Sequence, residues 1–229
     1  HEIRTPMNAI RGYAQILDRT ELSSEQQRAV EAIHTGGEHL LGLINEVLDL
    51  ARIESGRLEL NEGDFDLGAL VQGLGTLFEL RCQQQGLSWQ IVCPTEPTWV
   101  RGDEKKLRQV LVNLLGNAVK FTREGRVALE LTPAAEDRYQ FAVVDTGIGI
   151  DPEQHEEIFA PFARPEETDS QTGTGLGLAI ARQYVELMDG QLQVDSTPKS
   201  GSRFFFSLRL PPAPVGQERS RQSARRMRL

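Results

Sequence analysis

Apolar residues recur at alternating intervals of four and three through the first part of the chain. They stand at Ile3, Met7, Ile10, Ala14 and Leu17, then at Val30, Ile33, Gly37, Leu40, Ile44, Val47 and Ala51, with Leu41 and Leu48 widening the second stripe. This spacing predicts two helices, over residues 2–19 and from Ser24 to Glu54, joined by Thr20-Glu21-Leu22. Ser23 with Gln26 forms a capping box that opens the second helix. Two antiparallel helices cannot enclose so long a stripe. It predicts either a four-helix bundle made by a homodimer of hairpins or a hairpin lying on the chain's own globular part. At 1.5 Å per residue the first helix spans roughly 27 Å and the second roughly 46 Å, leaving about 13 residues of the second without a partner. That overhang carries Val47, Leu48, Leu50, Ala51 and Ile53, so the expectation is a helix upstream of His1 that covers it.

The pattern changes after a connector, Leu58 to Gly63. A helical stretch over Leu67–Gln84 precedes strand-like Leu87–Val92 and Trp99–Arg101. Asp103 then caps a helix carrying Leu107, Val110, Leu111, Leu114 and Leu115. Strands are predicted at Arg126–Leu131 and Tyr139–Val144, a helix opened by Asp151-Pro152, and a helix over Leu176–Met188. A closing hairpin joins Gln191–Val194 to Arg203–Leu210. Strands and helices without βαβ rhythm predict an α+β, two-layer α/β sandwich. The expected organisation is a hairpin over 1–57, a sandwich over 58–212 and a basic tail or linker over 213–229.

Charge narrows the partners. The chain has 25 Lys and Arg against 33 Asp and Glu. The last 17 residues hold five arginines and one glutamate, leaving 20 basic and 32 acidic residues in the body, a balance of −12. An acidic body argues against nucleic acid as a partner. No apolar run approaches the roughly 18–20 residues a bilayer requires, and Cys82 and Cys93 match no metal spacing. The reading is a cytoplasmic region with free thiols.

Chemistry concentrates in a few short stretches. In a helical His1-Glu2-Ile3-Arg4-Thr5-Pro6, His1 and Thr5 share a face one turn apart. A neutral imidazole is a nucleophile near pH 7, the adjacent carboxylate can take the proton it sheds, and Pro6 kinks the helix just beyond. Taken alone, a histidine there far more often has no chemical role. Asp145-Thr146-Gly147-Ile148-Gly149-Ile150 puts a carboxylate at a strand end and then glycines that admit a planar ligand, although Gly-rich turns after strands are common. Gly173-Thr174-Gly175-Leu176-Gly177-Leu178 opens a helix, where free N–H groups suit a phosphate chain; a plain Gly-rich loop is the other reading. Asn113, Asn117 and Lys120 lie on one face of an otherwise apolar helix, a placement suited to a hydrated metal ion and a phosphate. Phe159-Ala160-Pro161-Phe162-Ala163-Arg164 is ambiguous by itself.

Together, in this order, these stretches resemble the catalytic core of sensor histidine kinases, whose Bergerat-type ATP-binding fold is shared with DNA gyrase and the heat-shock chaperones. HEIRTP is similar to the phosphoacceptor box, NLLGNAVKFT to the asparagine box and DTGIGI to the first glycine box. FAPFAR is similar to the phenylalanine box and GTGLGLAI to the second glycine box, and the likeness runs from His1 to about Leu210. The resemblance implies ATP and Mg²⁺ as cofactors. His1 would be the phosphorylated histidine, Glu2 its acid/base, and Thr5 the residue that orients water in a reverse, phosphatase reaction. Asp145, with Gly147, Gly149 and Ile150, would hold adenine with Phe121 near the ring; Asn117 would hold Mg²⁺ and Lys120 would lie close to the phosphates. Gly173, Thr174, Gly175, Leu176 and Gly177, with the 163–174 loop, would cover the triphosphate, and Arg164 would reach its end. Asn113 stands where the ATP-hydrolysing relatives carry a water-activating glutamate, and an amide cannot be that base. The phosphoryl group is therefore expected to go to a protein nucleophile. HEIRTPMNAI with ARIESGRLEL is similar to the hybrid subgroup, implying a response regulator or fused receiver domain downstream and a sensor domain upstream, membrane-anchored or not. The competing reading is a degenerate kinase serving as a dimeric interaction module or as a phosphatase only.

Overall fold

The structure is a computed structural model and describes residues 4–20, 22–54, 58–94, 96, 98–163 and 174–213. The chain forms two compact units, His1–Leu58 and Glu59–Leu229. Among the described residues no helix is long and apolar enough to cross a membrane.

The first unit is a hairpin of α1 (Arg4–Leu17) and α2 (Ser24–Glu54). Its capping box is made in both directions: Ser23 N–H donates to Gln26 Oε1 at 2.9 Å, and Gln26 N–H donates to Ser23 Oγ at 3.3 Å. Met7, Ala14 and Val30 are buried between the helices, and Gly37 lies against Met7. Much of the stripe among the described residues is not covered. Ile10, Leu17, Ile33, Leu40, Val47 and Leu48 are exposed, as are Tyr13 and Ile16 beside the stripe, far more apolar surface than a hairpin of this size can leave to water at low cost.

The second unit opens with β1 (Gly63–Asp66), which pairs antiparallel with β3 (Trp99–Gly102). β1 was not expected: Gly and Asp are poor strand formers, and its pairing partner lies far along the chain. Asp66 at its end caps α3 (Leu67–Gln84), accepting from Ala69 N–H at 3.2 Å. Asp103 caps α4 (Glu104–Phe121) in the same way, accepting from Lys106 N–H at 3.1 Å. The five-stranded sheet has the order β2 (Ser88–Val92), β4 (Arg126–Pro133), β5 (Arg138–Asp145), β7 (Gly201–Arg209), β6 (Gln193–Thr197). β2 runs parallel to β4, so a crossover through β3 and α4 stands where the sequence showed no βαβ rhythm. Other pairings in that sheet are antiparallel. The predicted helix at Asp151-Pro152 is two short 3₁₀ turns, Pro152–Gln154 and Glu157–Phe159, the second of which buries Phe159. α5 covers Gly177–Leu187. Cys82 and Cys93 are both free thiols.

Strand alternation sets the position of the site. Leu129, Val143 and Phe204 are in register across β4, β5 and β7, as are Leu131, Phe141 and Phe206. All six are buried, and Phe141 stacks on Phe206 with centroids 5.0 Å apart. The next row on the same face is Val127, Asp145 and Ser202. The period of two that drives Phe141 and Val143 into the core therefore drives a carboxylate under the helix layer at the sheet's end.

Candidate nucleotide site at the end of the sheet

Asp145 is 6% exposed. Burial pushes its carboxyl above the ordinary value, against the pull of N–H donors from Gly147 (2.8 Å to Oδ1) and Ser202. A carboxylate kept here at a cost to folding is a functional candidate. The loop after it is tied down at every turn. Thr146 N–H donates to Arg126 O at 3.1 Å, Ile148 N–H to Phe121 O at 3.3 Å, and Ile150 N–H to Ser196 Oγ at 2.8 Å. A Cβ at Gly147 would overlap the Phe121 carbonyl and come within 2.9 Å of Asp145 Oδ1. Gly149, at φ +70°, packs against Thr197 O in the β6–β7 turn with no room for a side chain. The result is a glycine-rich loop packed against the end of α4 and the β6–β7 turn with one buried acid at its start, the candidate base slot.

The asparagine-bearing face of α4 leads away from that slot. Phe121 is its last residue, and Lys120 lies with its ammonium 4.6 Å from the Phe121 ring centroid, over the base end of the site instead of farther along the helix. Asn117 is half-buried one turn earlier. Asn113 is half-buried a further turn back, and its Nδ2 donates to the carbonyl of Gly177, the first residue of α5, at 2.9 Å. The N-cap residue Leu176 makes no side-chain cap, which leaves α5 with uncapped N–H groups. From Phe121 to Asn113 is eight residues of helix, about 12 Å. Phe121, whose carbonyl meets the glycine loop, and Asn113, which holds the start of α5, thus stand about 12 Å apart along α4.

The phenylalanine stretch supports that N-terminus. Phe159 is buried, edge-on to Phe204 at 6.3 Å, with the Arg182 guanidinium 5.2 Å from its centroid. Phe162 N–H donates to Gly175 O at 3.0 Å. Gly175 has φ +72°, and a Cβ there would lie 2.7 Å from the Phe162 carbonyl carbon. Thr174 Oγ1 accepts from Leu176 N–H at 3.1 Å. The structure thus brings Asn113, Asn117, Lys120, Phe121, Asp145, Gly147, Gly149, Ile150, Thr174, Gly175, Leu176 and Gly177 into one unit of the chain. His1, Glu2, Arg164 and Gly173 lie outside the described residues, and Thr5 is in the first turn of α1 with its side chain outside the description.

Four contributors were missed from the sequence. Ser196 Oγ accepts from Ile150 N–H, donates to Gly201 O at 2.9 Å and sits 3.0 Å from Ser202 Oγ, and Gly201 at φ +92° passes directly under Asp145 O. A Ser/Gly-rich segment between two strands reads only as a hairpin turn, and no local signal links it to an acid so far back along the chain. Gln109, whose Nε2 donates to Asn113 Oδ1 at 3.1 Å, was the fourth; its spacing of four before Asn113 was the available signal.

Comparison with known proteins agrees with this geometry. Residues 1–56 match the His Kinase A (phospho-acceptor) domain, and residues 102–212 match the histidine kinase-, DNA gyrase B- and HSP90-like ATPase family. The chain is 38% identical to the autoinducer 2 sensor kinase/phosphatase LuxQ of Vibrio cholerae over 91% of its length and 25% of that protein's. It is also 38% identical to the sensor protein GacS of Pseudomonas syringae, over 96% of this chain and 25% of that one. Among solved structures, full-length ShkA in complex with AMPPNP superposes with TM-score 0.79 at 34% identity, covering 94% of this chain and 45% of ShkA. The chain belongs to the histidine kinases and comprises their catalytic core: a phosphoacceptor helical region followed by an ATP-binding α/β sandwich. It spans about a quarter of the length of the curated relatives it matches.

Proposed function

We propose that the protein autophosphorylates His1 from Mg-ATP and passes the phosphoryl group to an aspartate of a response regulator or of a receiver domain in the same polypeptide. The observation that carries this reading is the spacing on α4, with a buried acid and glycine slot at one end and the uncapped start of α5 about 12 Å along it. Asp145 accepts the exocyclic amino group of adenine beside Phe121. The N–H groups around Gly175–Gly177 receive the phosphate chain, and Lys120 swings from the Phe121 ring to its oxygens.

The donor set fits Mg²⁺ only as a guest of the nucleotide. Among the described residues no group of three or more His, Cys, Asp or Glu could hold a metal, whereas Asn117 carries an amide oxygen at a half-buried position of α4 between Asn113 and Lys120. One amide completed by phosphate oxygens and water is the ligand set this hard cation favours. When bound, Mg²⁺ supplies charge neutralisation on the triphosphate. His1 attacks with an imidazole nitrogen, the bond from the γ-phosphorus to its bridging oxygen breaks, ADP departs with that electron pair, and Glu2 takes the imidazole proton. Asn113 has no basic oxygen to activate water, so hydrolysis does not compete. Thr5 serves the reverse reaction by orienting water on the phosphorylated regulator. The likeness to LuxQ, a sensor kinase/phosphatase, supports that role here.

The uncovered stripe on α1 and α2 supports a homodimer in which two hairpins form one four-helix bundle. The hairpin over 1–57 and the sandwich over 58–212 divide the labour between nucleophile and nucleotide, with 213–229 a basic tail or linker. A two-stage labelling experiment tests the reading. Protein incubated with γ-labelled ATP should acquire acid-labile, alkali-stable phosphate and lose it to an added receiver domain but not to a receiver lacking its aspartate. Labelling that is acid-stable, or no transfer to any receiver, contradicts it.

A further inference from the structure

The asparagine box is extended by one residue that no motif includes. Gln109 is exposed one turn before Asn113 on the same face of α4, so along the helix it lies about 6 Å beyond Asn113 and away from the base slot. Its Nε2 donates to Asn113 Oδ1 at 3.1 Å, and Asn113 Nδ2 donates to Gly177 O at 2.9 Å. An asparagine amide has two ends of nearly equal shape, and these partners distinguish them. An N–H donor can face only oxygen and a carbonyl can face only N–H, so reversing the amide breaks both bonds at once. What the chain holds is the start of α5, and that start has no cap of its own. A Cβ at Gly177 would lie 3.7 Å from the Asn113 amide, so helix and side chain are already in contact. The surrounding α4 positions Val110, Leu111 and Leu114 are fully buried, which leaves Gln109 little freedom to leave its partner through helix motion.

We propose that Gln109 is a positioning residue for phosphoryl transfer: it orients the Asn113 amide, which in turn sets where the first turn of α5 presents the γ-phosphoryl. The proposal rests on the nucleotide-site reading above and adds a residue that does not itself touch the base slot. It requires Gln109 to act on transfer more than on nucleotide affinity, because ADP is held at the Asp145 end and lacks the group being positioned. It also requires Gln109 to act through Asn113 alone.

Four variants of the full chain test this: Gln109→Ala, Gln109→Glu, Asn113→Ala and the double variant. At saturating ATP, Gln109→Ala should lower the autophosphorylation rate about three- to tenfold, the loss of one neutral hydrogen bond, with ADP affinity within about twofold of wild type. Gln109→Glu keeps the length and an acceptor but has no N–H for Asn113 Oδ1, so it should lose as much. The double variant should match Asn113→Ala alone, since Gln109 has nothing left to act on. A wild-type rate in Gln109→Ala or Gln109→Glu overturns the proposal. So does an equal loss of ADP affinity, which marks a merely structural role, or a further loss when Gln109→Ala is added to Asn113→Ala. Absence of acid-labile labelling in the wild type overturns the histidine kinase reading itself and is thereby distinguished from failure of the Gln109 proposal.

Discussion

Replacing Asp145 with asparagine separates binding from folding at a single atom. The carboxylate ends β5 almost fully buried, with Gly147 N–H at 2.8 Å from Oδ1. The replacement amide can keep that bond through its own carbonyl oxygen, so the slot should retain its shape. What it loses is an ionised acceptor for the adenine amino group, a charge-assisted bond worth about 1.5–3 kcal/mol, or on the order of ten- to a hundredfold in ATP affinity. GTP should lose less, because guanine presents a carbonyl where adenine presents the amino group, and the new amide can donate to it. Folding should move the other way. Burial raises the Asp145 pKa in the native state, so the native state holds that proton more tightly than the unfolded chain does. The stability it contributes is complete below the unfolded value and is lost as pH rises through the folded value; at neutral pH the ionised group is a burden that asparagine removes. Thermal stability at pH 7 should therefore be equal or higher in the variant. The same shift makes wild-type ATP affinity weaken as pH falls through the raised value, while the variant shows no such step. Calorimetric titration with ATP and GTP at several pH values, together with thermal unfolding, reads all of this. Equal losses for the two nucleotides, or a variant whose pH dependence matches wild type, would refute the assignment of Asp145 to base recognition.

Three further outcomes follow from particular contacts. Gly175→Ala places a methyl against the Phe162 carbonyl at φ +72°, so it should cost about 1–3 kcal/mol in thermal stability and weaken ATP more than adenosine; unchanged binding of both would contradict the cradle. Asp103 is buried, which alone raises its pKa, but the Lys106 ammonium at 2.7 Å and N–H groups of Asn61 and Lys106 outweigh burial and hold it below the ordinary carboxylate range. Its contribution is present above the unfolded value and lost as pH falls through the folded one, so Asp103→Asn should flatten the acid limb of the stability curve and cost about 2–4 kcal/mol at pH 7. Ile10→Asp with Leu17→Asp, on the uncovered stripe, should leave ADP affinity intact and shift sedimentation from dimer to monomer; a wild-type protein already monomeric at micromolar concentration would remove the dimer from the account.

What could be read along the chain was what local chemistry decides. The Asp103 cap, the Ser23–Gln26 box and the bounds of α3 each depend on residues within a few positions of one another. The glycine boxes were legible because Gly147, Gly149 and Gly175 answer to close backbone approach, which only glycine permits. Elements decided by distant partners were not legible. β1 exists because Trp99–Gly102 pairs with it, and the parallel β2–β4 contact is formed across an intervening strand and helix. Ser196 and Ser202 acquire a role only when the β6–β7 turn is folded under Asp145. Asn113 was assigned from the sequence to the nucleotide; in the structure both ends of its amide are engaged by Gln109 and Gly177, a contact spanning 64 positions on one side and four on the other.

The central claim is that phosphate from ATP is carried on one named imidazole. The direct measurement compares wild-type protein with His1→Gln after incubation with γ-labelled ATP and Mg²⁺, scoring acid-labile label alongside ADP affinity. The account predicts that the variant binds ADP as wild type does and takes up no acid-labile phosphate. Acid-labile labelling that persists in His1→Gln would place the nucleophile elsewhere and contradict it.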